Sequence, residues 1–364
     1  MPKTVLIAIS TNGPGGAERA ASYLANYLAN EGYNVYFVNS DFNSCFYSLD
    51  SRINVIKLNC DNKGKISNNI RLFFKIRSLI KTLKPDFCIP FLIKMEFPVI
   101  LSCVSFKIPF FASVRNDPNQ YDFFTRTFRK IYFKRSKGVV FQSKKAMEHK
   151  DFLSLKRKTV ISNMIGPQYS SFKNYSFGSK RSPIIFTVGR LCEQKNQILL
   201  IEAFEKIFDN IPDYQLHIYG SGDLKPLLEN KIINDGYQKS IFLDGNLNDA
   251  IMINSNASLF VLPSDFEGFP NVLVEAMSCG IPVISTKFPS GVAEEIIIDG
   301  ISGRLVPIRD VDALAEAMLF MISNPKDADR MAKNALKIKE DLSVSKICSQ
   351  WMSFIKAQLG EENV

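Results

Sequence analysis

Short apolar runs alternate with segments of helical spacing along the whole chain. Residues 5–9, 34–39, 53–58, 86–91, 109–114, 138–142 and 159–162 read as strands in the first half. Residues 183–188, 215–219, 240–243, 259–263 and 283–285 do so in the second. Strands buried on both faces of a parallel sheet appear as continuous apolar runs rather than alternating ones. Residues 20–30, 66–84, 121–137, 270–279, 313–318 and 345–359 carry helical patterns. Strands alternating with helices predict α/β architecture, with mostly parallel sheets covered on both faces. Residues 166–182 are rich in Ser, Gly, Tyr and Lys and weakly periodic, as expected of an interdomain linker. The expected domains are therefore 1–165 and 183–344, and a chain of 364 residues suits two better than one.

One helix has an odd residue. After the apolar run 259–263 comes Glu267-Gly268-Phe269-Pro270-Asn271-Val272-Leu273-Val274-Glu275-Ala276-Met277-Ser278-Cys279-Gly280. Pro270 suits the first helical position and Gly280 the position just past the end; Pro282 forbids continuation. Apolar neighbours surround Glu275, so it is expected to be buried, and a buried carboxylate needs a partner. A sugar hydroxyl is one such partner; a core ion pair is another. Glu275 lies roughly 7–8 Å along the axis from Pro270. With Glu267 it is poorly placed to hold one metal ion. The two acids are better placed to touch two parts of an extended ligand at the helix N-terminus, where anions are favoured.

Strand 183–188 runs into Gly189-Arg190-Leu191-Cys192-Glu193-Gln194-Lys195-Asn196. Arg grips phosphate bidentately and Lys acts as a point charge, so this loop is suited to phosphate; a surface loop with two charges is the alternative. Near the N-terminus, Gly13-Pro14-Gly15-Gly16-Ala17-Glu18-Arg19 links a strand to a helix, as a phosphate-approaching loop does. It is a weak dinucleotide fingerprint, because Glu18 stands where the third glycine belongs. Arg115 and Asn116 follow the strand at 109–114, and Asp117 reads as a helix cap. Ser290 and Gly291 offer backbone donors after 283–285. Asp310-Val311-Asp312 opens a helical pattern, so capping is a better reading than metal binding.

Composition changes the picture in two respects. The net charge of +9 is uneven: residues 1–180 hold 28 Lys/Arg against 11 Asp/Glu, and the remainder 17 against 25. The first half is thus formally +17 and the second −8. The helix at 66–84 places Ile66, Ile70, Phe73, Ile76, Ile80 and Leu83 near one face, with Lys75, Arg77, Lys81 and Lys84 elsewhere. The helix at 121–137 carries Phe124, Phe128 and Ile131 with Arg126, Arg129, Lys130, Lys134, Arg135 and Lys137. Basic amphipathic helices suit an anionic leaflet; an ordinary solvated face is the alternative. Nucleic acid ranks lower, since no nucleic-acid-binding motif accompanies the charge. Seven Cys without a Cys-x-x-Cys pair read as free core thiols of a reducing cytoplasm, and only two His argue against a histidine metal site. No run of 18 apolar residues predicts a spanning helix, and the N-terminus lacks the form of a secretory signal.

Glu267 to Glu275, with glutamates eight apart, resembles the signature of retaining nucleotide-sugar glycosyltransferases of family 4 with the GT-B fold. The likeness is to bacterial enzymes that build O-antigen, lipopolysaccharide, capsule or lipid-linked oligosaccharides, and it runs along most of the chain. It implies two Rossmann-like domains facing a central cleft. The first binds acceptor and faces the membrane, with a C-terminal helix at about 345–364 packing back on it; the second binds a UDP-sugar. It also implies metal-independent transfer, with Arg190, Lys195, Glu267 and Arg115 as the catalytic set. Gly15, Gly16, Asn246, Leu247, Gly268, Phe269, Glu275, Ser290 and Gly291 would bind donor. Glu18, Arg19 and Asn116 would bind acceptor. The chain departs from many relatives in carrying Arg115-Asn116 where they have a histidine, which makes Arg115 a candidate to contact donor phosphate or an acceptor diphosphate. The implied donor is UDP-N-acetylgalactosamine, then UDP-galactose or UDP-glucose. The implied acceptor is a polyprenyl-diphosphate-linked glycan at the inner face of the cell membrane, with no cofactor and no nucleic acid. The alternatives are a nucleotide-sugar epimerase or dehydrogenase on the same architecture, and a non-catalytic membrane-associated sugar-nucleotide binder.

Overall fold

The computed structural model describes residues 2–10, 15–40, 46–60, 65–173, 175 and 177–361, with side chains from 68 onward in the helix that begins at Lys65. Thr11 to Pro14 of the glycine-rich loop, Cys45, the Ile66 side chain, Asn174 and Ser176 in 166–182, and residues 362–364 lie outside the described residues. The chain divides into two units, one of Met1–Met164 with Val344–Val364 and one of Ile165–Ser343.

The first unit holds β1 (Thr4–Ile9), β2 (Asn34–Asn39), β3 (Asn54–Lys57), β4 (Phe87–Pro90), β5 (Phe111–Val114), β6 (Gly138–Phe141) and β7 (Lys158–Val160). The orders are β3-β2-β1-β4 and β5-β6-β7, every pairing parallel. A parallel bridge between Cys88 and Phe110 brings β4 beside β5. Val5 to Ile9 are fully buried, as the unbroken apolar run demands of a central parallel strand. β3, by contrast, is a mostly exposed edge strand.

The second unit holds β8 (Ser182–Val188), β9 (Gln215–Tyr219), β10 (Ile241–Gly245), β11 (Ala257–Leu262), β12 (Val283–Thr286) and β13 (Arg304–Val306). Their order is β10-β9-β8-β11-β12-β13, all parallel. The order reverses between β8 and β11. In open doubly wound sheets, ligands bind outside the carboxyl ends of the strands at such a switch point.

Segment 166–182 is not a free connector. Arg181 pairs with Asp329 at 2.8 Å, and the rings of Tyr175 and Phe177 lie over Gly280, whose φ of 67° ends the helix before it. The terminal helix Val344–Leu359 packs within the first unit: Trp351 is fully buried 6.2 Å from Phe91, and Phe354 sits 6.0 Å from Phe111. Asp310 caps the helix Val311–Ser323, accepting from Ala313 N at 2.9 Å. The sequence reading omitted the helix Ile93–Phe106, whose interior Pro98 breaks the usual helical pattern.

Two basic helices need correction. The segment 121–137 is a helix only over Phe123–Tyr132, followed by a 3-10 turn. Of its apolar stripe Phe128 is buried, but Phe124 and Ile131 are 70% and 50% exposed. Arg129 does not face solvent. It is buried, and Glu96 takes its Nε and Nη2 at 2.9 and 2.7 Å over the face of Tyr121. Burial opposes the Arg129 charge, but Glu96 and Tyr121 outweigh it and raise its pKa. Arg126 is tied to Asp151 at 2.6 Å. In the other helix, Lys65–Leu83, Ile70 is exposed rather than core-facing. There Lys75 donates to Leu58 O and Arg77 lies over Phe106 at 4.4 Å. The basic excess available to an anionic surface is therefore smaller than the sequence count.

Candidate active site

Leaving β8, the chain runs Gly189-Arg190-Leu191-Cys192, makes a 3-10 turn over Glu193–Lys195, and enters the helix Gln197–Ile207. Asn196, at φ 44°, caps that helix. Leaving β11, it runs from Pro263 to Phe269 and enters the helix Asn271–Ser278, with Pro270 as cap rather than first helical residue. The two loops flank the switch point and are stitched together. Asp265 N donates to Gln194 O at 2.9 Å, Asn196 Nδ2 to Asp265 Oδ1 at 2.9 Å, and Gln194 Nε2 to Phe266 O at 2.9 Å. At their centre Lys195 Nζ meets Glu267 Oε1 at 2.5 Å. Ser264 Oγ donates to the same oxygen at 2.7 Å. Glu267 is 6% exposed. The Lys195 side chain is 16% exposed, so the pair is largely shielded from solvent and its attraction exceeds that of a surface pair.

Arg190 contrasts with Lys195. It is exposed, and among the described residues no hydrogen bond or ion pair engages its guanidinium. Its backbone is nevertheless fixed. Gln197 Nε2 donates to Arg190 O at 2.8 Å, Gly189 N to Tyr219 O at 2.9 Å, and Leu191 N to Ser221 O at 2.9 Å. Gly220 makes this approach possible: at its φ of 144° a Cβ would fall 1.9 Å from Gly189 O. Gly220→Ala is accordingly expected to lower stability by about 1–3 kcal/mol and to displace the Arg190 loop, read out as a lower melting temperature.

The other predicted donor residues follow the same strand ends. Asn246 and Leu247 follow β10, both exposed, and Asn246 Nδ2 donates to Ser221 Oγ at 3.0 Å. Ser290, buried, and Gly291, at φ 72°, follow β12. Gly268 is partly exposed and Phe269 buried beside Glu267. Glu275 is 5% exposed on its helix, between fully or nearly fully buried Val274, Ala276 and Met277. Sequence reasoning left three contributors unassigned: Ser264 and Gln194, which bond Glu267, and Thr286, whose Oγ1 donates to Ser264 O at 2.5 Å. Ser264 stands three residues before Glu267, a spacing typical of local side-chain hydrogen bonds. Gln194 and Thr286 had no local signal.

In the first unit the predicted residues fall at the start of the helix Gly16–Asn30 and just after β5. Gly15 precedes the helix Gly16–Asn30, and the Glu18 carboxylate folds back over it, 2.1 Å from where a Cβ would stand. Arg19 is buried, its Nε 3.4 Å from Tyr47 Oη. Asn116 accepts from Asp117 N at 2.9 Å, and Asp117 in turn caps the turn Pro118–Gln120. Arg115 donates through Nη1 to Asn163 Oδ1 at 2.6 Å and lies 4.8 Å from the Phe91 ring centre. Burial lowers its pKa to about 9. Among the described residues no group of three or more His, Cys, Asp or Glu could hold a metal ion.

Residues 172–338 match the family described as Glycosyl transferases group 1, and residues 18–94 the family described as Glycosyl transferase 4-like. The chain is 26% identical, over 95% of its length and 96% of the relative's, to a Campylobacter jejuni protein named GalNAc-alpha-(1->4)-GalNAc-alpha-(1->3)-diNAcBac-PP-undecaprenol alpha-1,4-N-acetyl-D-galactosaminyltransferase. A glycosyltransferase structure from Rickettsia africae superposes with a TM-score of 0.81 at 19% identity, covering 100% of both chains. Anabaena HepE, solved in complex with UDP-glucose, superposes with a TM-score of 0.76 at 17% identity, covering 97% of this chain and 99% of that one. The fold is GT-B, with parallel sheets in two Rossmann-like domains.

Proposed function

We propose that this chain, in which a glycosyl transferase 4-like segment precedes a group 1 glycosyl transferase segment, is a retaining hexosyltransferase that moves a sugar from a UDP-sugar to a polyprenyl-diphosphate-linked glycan. The observation that carries the reading is the Lys195–Glu267 pair at the switch point of the second unit's sheet, on a loop that also bears the exposed Arg190, whose guanidinium has no partner among the described residues. A departing nucleoside diphosphate gains negative charge as its bond to the sugar breaks. Arg190 is free to take its oxygens in a fork, and Lys195 supplies a fixed positive charge next to it. Glu267 engages sugar hydroxyls through Oε2, which neither Lys195 nor Ser264 bonds and which Gln194 Nε2 reaches only at 3.4 Å, and Glu275 takes the ribose hydroxyls. We assign no carboxylate as a covalent nucleophile; the acceptor hydroxyl attacks the face the diphosphate leaves, through an oxocarbenium-like state. The diphosphate oxygen takes the hydroxyl proton, and configuration is retained. Two protein cations in this role make a metal unnecessary.

The relatives support the substrate class. One is named for transfer of N-acetylgalactosamine to an undecaprenol-diphosphate glycan and another was solved with UDP-glucose. We therefore rank UDP-N-acetylgalactosamine first, then UDP-galactose and UDP-glucose, with O-antigen or lipopolysaccharide assembly as the setting. A lipid-linked acceptor also suits an apolar groove of about 1080 Å³ in the first unit, lined by Ile70, Phe73, Phe74, Phe97, Leu101 and Phe124. Beside it Phe123 is 85% exposed. Such a surface, flanked by the remaining basic residues of helices Lys65–Leu83 and Phe123–Tyr132, suits peripheral attachment to the inner leaflet. No described helix is long and apolar enough to cross a membrane.

Incubation with a panel of UDP-sugars is the test. Slow release of UDP from one of them, with the α-anomer as first product by NMR and no change on adding EDTA, is expected. Isomerised sugar, or nicotinamide reduction, would replace this reading with an epimerase or a dehydrogenase.

A further inference from the structure

The carboxyl ends of β5, β6 and β7 gather polar side chains that the donor chemistry above does not use. The strands pair in parallel, with Val114 beside Phe141 and Phe141 beside Val160. Arg115 and Gln142 therefore leave adjacent strands at the same level, and Asn163 follows β7 shortly after. Asn163 Oδ1 accepts from both neighbours, from Arg115 Nη1 at 2.6 Å and from Gln142 Nε2 at 2.8 Å. Gln142 and Asn163 are buried, 4% and 3% exposed.

The cluster is incomplete. Arg115 Nε and Nη2 are shielded from solvent and have no hydrogen-bond partner, and the same holds for Gln142 Oε1 and for Oγ of Ser113, at the end of β5. Buried polar groups are nearly always bonded, so several orphans in one place call for a missing partner. No carboxylate pairs with Arg115 among the described residues; its neighbours are a neutral amide and the faces of Phe91 and Trp351, at 4.8 and 5.7 Å. Aromatic faces replace only part of the hydration a guanidinium loses on burial.

Arg129 provides an internal comparison. There the same edge, Nε with Nη2, is filled by the two oxygens of Glu96 at 2.9 and 2.7 Å. In Arg115 that edge has no partner. It presents two parallel N–H bonds, which match two oxygens of a phosphate or a carboxylate. Holding the arginine by an asparagine rather than an aspartate keeps its charge available while fixing its plane.

We propose that Arg115, positioned by Asn163 and Gln142, is an oxyanion site of the first unit that takes a phosphate or diphosphate group. That the anion belongs to a glycosyl-transfer substrate rests on the function proposed above; the site itself does not. Two sources share the chemistry, the diphosphate of the lipid-linked acceptor and that of the nucleotide.

The test is calorimetric titration of inorganic pyrophosphate into the full chain carrying Arg190→Ala, which removes the exposed cation of the second unit. The same titration is repeated with Asn163→Asp added. The new carboxylate would claim the guanidinium, so pyrophosphate binding is expected to weaken at least tenfold while the melting temperature holds or rises. A purely structural Asn163 would give the same melting behaviour with binding within twofold, and that result overturns the proposal. Should Asn163→Asp fail to fold, Arg115→Gln is read by the same criterion. In an otherwise wild-type chain with measurable transfer, Asn163→Asp raises the KM of whichever substrate supplies the anion, acceptor or donor. Unchanged KM for both would also overturn the proposal. Absence of transfer altogether would remove the functional reading but leave the pyrophosphate result standing.

Discussion

Arg190→Ala combined with Lys195→Ala is expected to lower transfer by on the order of 10⁴-fold, since one donor to developing negative charge is typically worth 10²–10³. The two singles separate the roles. Arg190 is exposed and its guanidinium has no partner among the described residues, so Arg190→Ala should leave the melting temperature unmoved while turnover falls by on the order of 10²–10³. Lys195→Ala acts on the fold as well. It strips the cation from Glu267, whose side chain is 8% exposed, and leaves it hydrogen bonds from Ser264 and Gln194. A loss of about 1–3 kcal/mol should accompany the loss of turnover. Adding Glu267→Gln should recover the stability, because a neutral amide needs no counter-charge, without recovering activity. Initial rates with the best UDP-sugar and thermal melts of the variants decide the matter. A double variant turning over within tenfold of the parent would strip both cations of their assigned role.

Glu96→Ala should be among the most destabilising changes in the first unit. Arg129 and Glu96 are 1% and 0% exposed at the side chain, so the charge left behind cannot reach water. Breaking a buried pair by removing one partner typically costs about 3–5 kcal/mol. Replacing both partners by Met should be far milder, since the desolvation penalty then disappears with the charges. Arg126→Ala serves as contrast. Its bond to Asp151 is partly exposed, at 32% and 14%, and its loss should change stability by about 1 kcal/mol or less. Urea denaturation of the three variants tests the ranking. Equal midpoints for Glu96→Ala and Arg126→Ala would show that the Glu96–Arg129 pair does not hold the helices together.

Much of the architecture was legible because its signals are local. Unbroken apolar runs marked the strands of parallel sheets, among them β1 and β11, and Pro and Gly bracketed the helix that bears Glu275. Asp310 was recognisable as a cap, because a cap is set by the three residues after it. Strand edges slipped by a residue or two, and β13 passed unread because three residues carry little periodicity. Helical spacing alone also misjudged exposure. Phe124 and Arg129 stand on one short helix, yet the phenylalanine faces out and the arginine in. A buried carboxylate on another helix, Glu96, decides that.

Taken alone, the amino-acid order determined which residues carry charge, which segments become strands or helices, and that an acidic pair and a cationic loop both stand in the second half. It did not determine who meets whom. Lys195 and Glu267 are 72 residues apart and Arg115 and Asn163 are 48 apart. They touch because strand order places β8 against β11, and β5 and β7 on either side of β6. Propensity and spacing act over a few residues, whereas strand order is settled by burial of the entire sheet. Only the folded chain could therefore show that Lys195 is held by a carboxylate, that Arg190 is not among the described residues, and that one edge of Arg115 is buried without a partner.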